Sequence, residues 1–166
     1  MDTENLNKEE SWKKLRELVD DIKVAMMVTG LEKRPINAIP MRTKKIDDNG
    51  NIWFVSAGNS EHNKNLQINE QVHLLYSDPD DNEFVTLYGE AEITKDKKIL
   101  EDLYSSTSDN WFDGVDDPNL TAIKVKPVDA YFWDSKTNKY VTLFKMGIGA
   151  LTGEKQDVGE KGKLDL

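Results

Sequence analysis

The chain has 166 residues, 37% of them hydrophobic, which is enough for one domain with an apolar core. It has no cysteine, which excludes disulfides, thiolate metal sites and cysteine nucleophiles. The net charge of −9 argues against nucleic acid or anionic membranes as general partners. No apolar run is long enough to span a bilayer and the polar residues 1–10 do not resemble a signal peptide, so a soluble, cytoplasmic protein is expected.

The hydrophobic pattern switches between helical and strand periods along the chain. Turns recur roughly every 8 to 12 residues, which favours an antiparallel barrel or sandwich over βαβ units. The sequence predicts a single mainly β domain over residues 1–146, with six or seven strands, and a mobile tail over 147–166. The predicted helices cover 8–23, 60–69 and 95–104, and the predicted strands cover 24–29, 36–46, 51–57, 71–76, 83–94, 120–133 and 140–144.

Single residues add local detail to this pattern. Asn49-Gly50 lies between two strand-like runs and predicts a hairpin whose two central residues have positive φ. Gly89 predicts a bulge, and Pro127 predicts a break in the last long strand. Ser60 and Thr94 are candidate caps for the second and third helices.

Neither metal binding nor covalent catalysis is predicted. The two histidines, His62 and His73, lie on different predicted elements without ligand spacing, and the acidic clusters are typical of solvated turns. The chain lacks an activated-serine motif and a glycine-rich phosphate loop. Any redox chemistry would therefore come from a bound cofactor.

Positive groups are concentrated before the predicted hairpin and at the start of the second helix. Alternation along a strand predicts that Arg42 and Lys44 share one face. By the same rule Thr43 and Lys45 share the other face. The segment 59–64 combines hydroxyl, imidazole, amide and ammonium groups at a helix start, where free N–H groups favour an anion. This segment is either a phosphate site or an ordinary solvated cap.

The four tryptophans differ in their surroundings. Trp12 and Trp53 have the spacing of core residues. Trp111 lies in a polar loop, where a large aromatic side chain packs against its own barrel, a second subunit or a flat ligand. Trp133 ends a strand, where core packing is the simpler interpretation.

Several short segments carry a family resemblance through their order and spacing. They are Asp48 to Phe54, Asn59-Ser60, Tyr76 to Pro79, Leu87 to Ala91, Trp111 to Gly114 and Tyr131 to Asp134. Together they resemble the general stress protein 26 group of the pyridoxamine 5′-phosphate oxidase-like superfamily, from Trp12 to about Asp134. The resemblance implies an FMN-binding split β-barrel that forms a homodimer, with flavin at the subunit interface.

The resemblance also implies roles for particular residues. The strand over 40–44 would line the flavin ring and ribityl chain, the start of the second helix would face the phosphate, and two tryptophans would approach the ring. The implied cofactor-binding residues are Met41, Arg42, Thr43, Lys44, Phe54, Val55, Ser56, Ser60, His62, Asn63, Lys64, Trp111 and Trp133.

Two departures from the family pattern limit what is expected. His62 stands where many relatives carry Lys or Arg, and Glu61 beside it adds a negative charge that Lys64 could offset. The segment 134–145 has lysines but no arginine, whereas the true oxidases carry two arginines beyond the strand-end tryptophan. Because lysine does not replace the bidentate arginine fork, oxidation of pyridoxamine phosphate is not expected.

Three functions remain open at this point. The first is an FMN-dependent oxidoreductase of unknown substrate, with a small-molecule electron donor or acceptor and no assigned catalytic side chain. The second is a flavin-binding stress or redox-sensing protein without turnover. The third is a split barrel that binds haem or a deazaflavin instead of FMN.

Overall fold

The computed structural model describes residues 8–134, 160–164 and 166, together with the backbone of residues 2–3. Its helices are α1 (Lys8–Ile22), α2 (Glu61–Ile68) and α3 (Lys97–Leu103), and a 3₁₀ turn covers Ser106–Asn110. Its strands are β1 (Asp2–Thr3), β2 (Val24–Thr29), β3 (Asn37–Arg42), β4 (Lys45–Ile46), β5 (Ile52–Ala57), β6 (Gln71–Asp78), β7 (Glu83–Thr94), β8 (Leu120–Asp134) and β9 (Glu160–Leu164). The strand predicted over 140–144 lies outside the described residues.

The strands form one curled sheet that closes through the segment 37–46. The sheet order is β9-β8-β7-β6-β2-β3 with antiparallel neighbours, and β5 pairs with the free edge of β8. The segment 37–46 pairs with β2 through β3 and with β5 through β4. Between these pairings, the Lys44 amide donates to the Trp53 carbonyl at 2.8 Å. The prediction of a mainly β, antiparallel barrel is confirmed.

Apolar side chains on the inner face of the barrel form the main core. Leu15, Leu18 and Val19 on α1 pack into this core with Phe54 and Phe132, all of them almost completely buried. The apolar face of the amphipathic helix α1 is therefore buried against the barrel, as its sequence pattern predicts. A second apolar cluster lies outside the barrel, where α3 covers the outward face of β5.

The loop of the hairpin between β4 and β5 is longer than the two-residue turn that the sequence predicts. Asp47 and Asn51 close it through a 2.9 Å backbone hydrogen bond, so residues 48–50 form the loop. In this loop Gly50 alone has positive φ, at 81°, as in loops that combine an ordinary turn with one left-handed residue. A Cβ at Gly50 would lie 2.3 Å from the Trp12 ring, so close packing also requires glycine here.

Strand β8 runs through Pro127 without a break, contrary to the prediction. Pro127 pairs with Gly89, and Val128 is the extra residue of a bulge at that point, as Gly89 predicted. On its other edge, β8 pairs with β5 as far as Val125 and with β9 from Ala130. Among the described strands, none pairs with that edge at Pro127, so its missing N–H costs no ladder hydrogen bond there.

One further expectation, the cap of α3, is corrected. The cap of α3 is Asp96, whose carboxylate accepts from the Lys98 and Ile99 amides, whereas Thr94 accepts from the Asp96 amide. The mobile tail stays a prediction; within it, residues 160–164 form β9, which pairs with β8, and Leu164 is 1% exposed. Residues 147–159 and 165 of that tail lie outside the described part of the chain.

A group of carboxylates surrounds the place where α1 meets the barrel rim. Lys14 bridges Asp134 and Glu160, and these hydrogen bonds raise the pKa of Lys14 although burial opposes the rise. Glu83 lies nearby on β7. Burial, followed by repulsion from Asp134 and other acids, raises the pKa of Glu83 to about 7. Between about pH 4.5 and pH 7, the Glu83 carboxyl is therefore mainly protonated in the folded protein and mainly ionised in the unfolded chain.

Replacing Glu83 with glutamine should stabilise the protein above neutral pH and change little near pH 4. The folded-state pKa lies above the unfolded value, so the wild type loses stability as pH rises from about 4.5 to about 7. We expect a gain of roughly 1 kcal/mol at pH 8, since solvent screens this half-buried group. Thermal unfolding at several pH values measures it, with exposed Glu90→Gln on the same strand as control. An equal gain at pH 4 and pH 8 would contradict the assignment.

Candidate functional site

A cleft of about 460 Å³ opens beside the segment that closes the barrel. Its walls are the C-terminal turn of α1, the segment between β3 and β4, and the end of α3 with the residues that follow it. Arg42, Thr43 and Lys44 lie on one wall, opposite Tyr104 and Ser105. The cleft therefore contains the cationic segment that the sequence singled out.

Lys44 is half-buried in this cleft and surrounded by neutral hydroxyl groups. Its ammonium donates to Ser105 Oγ at 3.0 Å and to Ser108 Oγ at 3.1 Å. Burial, assisted by the nearby Arg42 charge, lowers the pKa of Lys44. Across the described residues, neither Lys44 nor Arg42 forms an ion pair with a carboxylate. The Asp20 and Asp102 carboxylates also line the cleft, but within the described residues neither pairs with these two cations, so their wall suits an anionic or acceptor-rich ligand.

Thr43 and Lys45 do not share a face, contrary to the prediction. The Thr43 hydroxyl lies 2.7 Å from the hydroxyl of buried Tyr76, whereas Lys45 pairs with exposed Asp102 on α3. The reason is the interruption between β3 and β4, where strict alternation does not apply. The Thr43 amide uses this interruption to donate to the Lys23 carbonyl at 2.8 Å.

The start of α2 forms a second polar region. Ser60 is the N-cap, as predicted, and its hydroxyl accepts from the Asn63 amide at 3.3 Å and contacts His62 Nε2 at 3.0 Å. Burial lowers the pKa of His62, so the imidazole is neutral at neutral pH and contributes no charge. The ammonium groups of Lys64 and Lys33 lie 4.0 and 3.9 Å from the Glu61 carboxylate.

The side chains of Ser56 and Asn63 are engaged inside the protein. Ser56 Oγ donates to Asn63 Oδ1 at 2.8 Å, and Asn63 Nδ2 donates to Thr121 Oγ1 at 2.9 Å. The Thr121 hydroxyl in turn donates to the Ser56 carbonyl at 2.9 Å. All three residues are buried, so the network joins α2 to β5 and β8 and does not face the cleft.

The remaining residues implied by the resemblance are dispersed. Met41 and Phe54 pack with the main core, and Val55 packs with the outer cluster under α3. Trp111 is 81% exposed at the end of the 3₁₀ turn. Trp133 is half-buried on the sheet, with its ring 4.8 Å from that of Tyr131. The structure thus brings Arg42, Thr43 and Lys44 together in the cleft and leaves the tryptophans outside it.

Sequence reasoning missed four polar residues near these two regions. Lys23 and Ser105 line the cleft, Ser108 binds the Lys44 ammonium, and Lys33 reaches α2, where its ammonium donates to Asn65 Oδ1 at 2.5 Å. None of them belongs to a motif, because single polar residues in turns are common. Only the folded arrangement identifies them.

The barrel, its closing segment and the adjacent cleft define a split-barrel protein. A family model described as "Pyridoxamine 5'-phosphate oxidase like" matches residues 10–157. The chain therefore belongs to the pyridoxamine 5′-phosphate oxidase-like family, and the resemblance noted in its sequence is confirmed. In the described part of the chain, no three potential metal ligands lie together and no helix has the length and apolar character to cross a membrane.

Relatives of known sequence or structure agree with this assignment. General stress protein 26 of Bacillus subtilis is 24% identical over 141 residues, which are 83% of this chain and 99% of that protein. A crystal structure described as a candidate general stress protein 26 from Jannaschia superposes with a TM-score of 0.80 and 23% identity, covering 96% of this chain and all of that one. A general stress FMN/FAD binding protein from Xanthomonas citri superposes with a TM-score of 0.67 and 20% identity, covering 78% and 92%. At these identities the structural likeness shows the fold.

Proposed function

We propose that this protein binds FMN and acts as a flavin-dependent oxidoreductase on a small molecule in the cytoplasm. The observation that carries the proposal is the half-buried Lys44 ammonium, next to Arg42 and without a described carboxylate partner, in a chain of net charge −9. A bound group with acceptor atoms or negative charge would offset the burial of that cation. Membership in the family and the description of the Xanthomonas citri relative as an FMN/FAD binding protein support flavin as that group.

The residues of the cleft suit the ring portion of a flavin. Met41 to Lys44 would lie along one edge of it, with Arg42 and Lys44 as donors to its carbonyl oxygens. The phosphate would be held at the start of α2 by the Ser60 hydroxyl and by Lys33 and Lys64. Glu61 and neutral His62 weaken phosphate binding at the start of α2. The contacts in the cleft would therefore contribute more to the binding free energy of FMN than the phosphate contacts.

Bound flavin would itself accept and pass on electrons, and the chain would position and shield it. No histidine lines the cleft, and one of its carboxylates, Asp102, is paired with Lys45. A lining of hydrogen-bond donors suits binding more than proton transfer. It favours, as a second candidate, a protein that binds flavin and senses or stores it without turnover. The two candidates differ in whether an electron donor reduces the bound flavin and an acceptor reoxidises it.

Titration of the purified protein with FMN, followed by quenching of flavin fluorescence, tests the proposal. Saturable binding is expected, and addition of reduced nicotinamide cofactors to the complex then tests for bleaching of the flavin. Bleaching by a donor supports the oxidoreductase, and tight binding without bleaching by any donor supports the sensor. Absence of FMN binding would overturn both. His62→Ala and Lys64→Ala variants test the phosphate end, and unchanged FMN affinity would remove that assignment.

A homodimer is part of the proposal, and exposed apolar residues on the sheet support it. Met26 and Leu75 are 41% and 42% exposed on neighbouring strands β2 and β6, and Met26 pairs with exposed Pro40 on β3. Val24 extends the patch and pairs with Arg42. The apolar patch therefore borders the cleft, so a second copy covering it would also cover bound flavin.

Replacing Met26 with aspartate should convert the dimer to monomer and weaken FMN binding in parallel. A charge at the centre of an apolar interface is desolvated without a partner, which costs several kcal/mol. Light scattering after gel filtration measures the mass. Ile68→Asp is the control, because Ile68 is 75% exposed on α2 and does not belong to the strands that form this patch. A monomeric wild type, or a dimer that survives the Met26 change, would contradict this interface.

A further inference from the structure

Tyr76 is a buried phenol with one hydrogen-bond partner in the described structure. It is 1% exposed among core residues on β6, and its hydroxyl lies 2.7 Å from Thr43 Oγ1. Burial raises the pKa of Tyr76 above its ordinary value, so the phenol keeps its proton at any physiological pH. That proton needs an acceptor inside the core, and Thr43 Oγ1 is the acceptor that the structure provides.

The direction of this hydrogen bond follows from burial. If Thr43 donated to Tyr76, the phenol proton would be left in the apolar core without an acceptor, and a buried unsatisfied donor is more costly than a hydrogen bond is stabilising. Tyr76 therefore donates and Thr43 accepts. The Thr43 hydroxyl proton is then free for another acceptor, and Thr43 is half-buried on the wall of the cleft.

We propose that Tyr76 is a positioning residue that holds the Thr43 hydroxyl as a hydrogen-bond donor to an acceptor atom of the flavin ring. This inference rests on the proposed flavin binding. Thr43 then joins Arg42 and Lys44 as a third donor on the same wall of the cleft. Because all three groups donate, the wall is complementary to a ligand edge that carries only acceptors.

A double-mutant cycle on the full-length protein tests the assignment with FMN as the probe. Thr43→Val should raise the FMN dissociation constant about five- to tenfold, the usual effect of losing one hydrogen bond. Tyr76→Phe should raise it about two- to threefold, because the Thr43 hydroxyl is no longer held in one direction. The double variant should bind like Thr43→Val alone, since Tyr76 acts only through Thr43.

Thermal unfolding of the same proteins without flavin provides a second readout. Thr43→Val leaves the Tyr76 phenol without an acceptor and should lower the melting temperature. The double variant removes both hydroxyls and should regain most of that loss. Tyr88→Phe, a half-buried tyrosine on the outer face of β7, is the control and should change neither readout.

The outcomes separate this inference from the proposed function. A wild type that binds no FMN overturns the proposed function and the ligand role of Thr43. If the wild type binds FMN, unchanged affinity in Thr43→Val or in Tyr76→Phe overturns the inference alone. A double variant less stable than Thr43→Val would show that Tyr76 does not donate to Thr43, with or without flavin.

Discussion

Replacing Lys44 with methionine is expected to weaken FMN binding about 10- to 100-fold without destabilising the protein. Hydrogen bonds to a charged group contribute about 1.5–3 kcal/mol each, which corresponds to this range. Methionine preserves most of the apolar stem and removes the charge. Because the half-buried ammonium lies next to Arg42 without a described carboxylate partner, its removal should leave the melting temperature unchanged or raise it.

The neighbouring Lys45 is the matched control for this experiment. Lys45 does not line the cleft, but Lys45→Met frees the exposed carboxylate of its partner Asp102, which does, so we expect it to weaken FMN binding by less than about threefold. A fluorescence titration measures affinity, and calorimetry measures stability. Equal FMN affinity in Lys44→Met and Lys45→Met would show that the cleft is not the flavin site.

Replacing Asn63 with leucine is expected to destabilise the protein by about 2–4 kcal/mol. The change breaks the network of Ser56, Asn63 and Thr121 and leaves polar atoms of the other two residues buried with fewer partners. Leucine is of similar size, so the main loss is polar and not a matter of volume. Urea unfolding measures the free energy.

Gln67→Leu makes the same kind of change at an exposed position of α2 and should stay within about 0.5 kcal/mol of wild type. If Asn63→Leu behaved like this control, the network would not anchor α2. Anchoring matters for function because Ser60 and Lys64 are carried by the same helix. FMN binding to Asn63→Leu should therefore weaken even under conditions where the variant remains folded.

The elements of the barrel follow from periodicity, which is why most of them were predictable. Inner-face residues such as Leu74 and Phe132 alternate with exposed or half-buried neighbours, and α1 repeats its apolar positions at helical spacing. Strand β9 escaped prediction because its burial rests on Gly162 and Leu164 within a charged segment. Its partner, β8, is distant in sequence, and pairing of that kind leaves no local signal.

The site was predictable in part for a related reason. Arg42 and Lys44 stood out as a cationic pair on one strand, and the structure places both on the cleft. The resemblance also pointed to Asn63, but spacing could not show that its amide is directed at Ser56 and Thr121. Ser105 and Ser108 contact Lys44, and Lys33 contacts Asn65, only through tertiary folding, because the partners are separated by 61, 64 and 32 residues in sequence.

The segment 37–46 closes the barrel and also carries the residues that line the cleft. Its junction is held by the Thr43 amide on Lys23 and the Lys44 amide on Trp53. A local opening that releases residues 43 and 44 from Lys23 and from β5 would break these bonds and disperse the cationic wall. Ligand occupancy and local opening therefore exclude each other, and a ligand at about 100 times its dissociation constant would suppress opening by about 2.7 kcal/mol. Slowed exchange of the Thr43 and Lys44 amide hydrogens would make occupancy of the cleft visible in the backbone of the barrel.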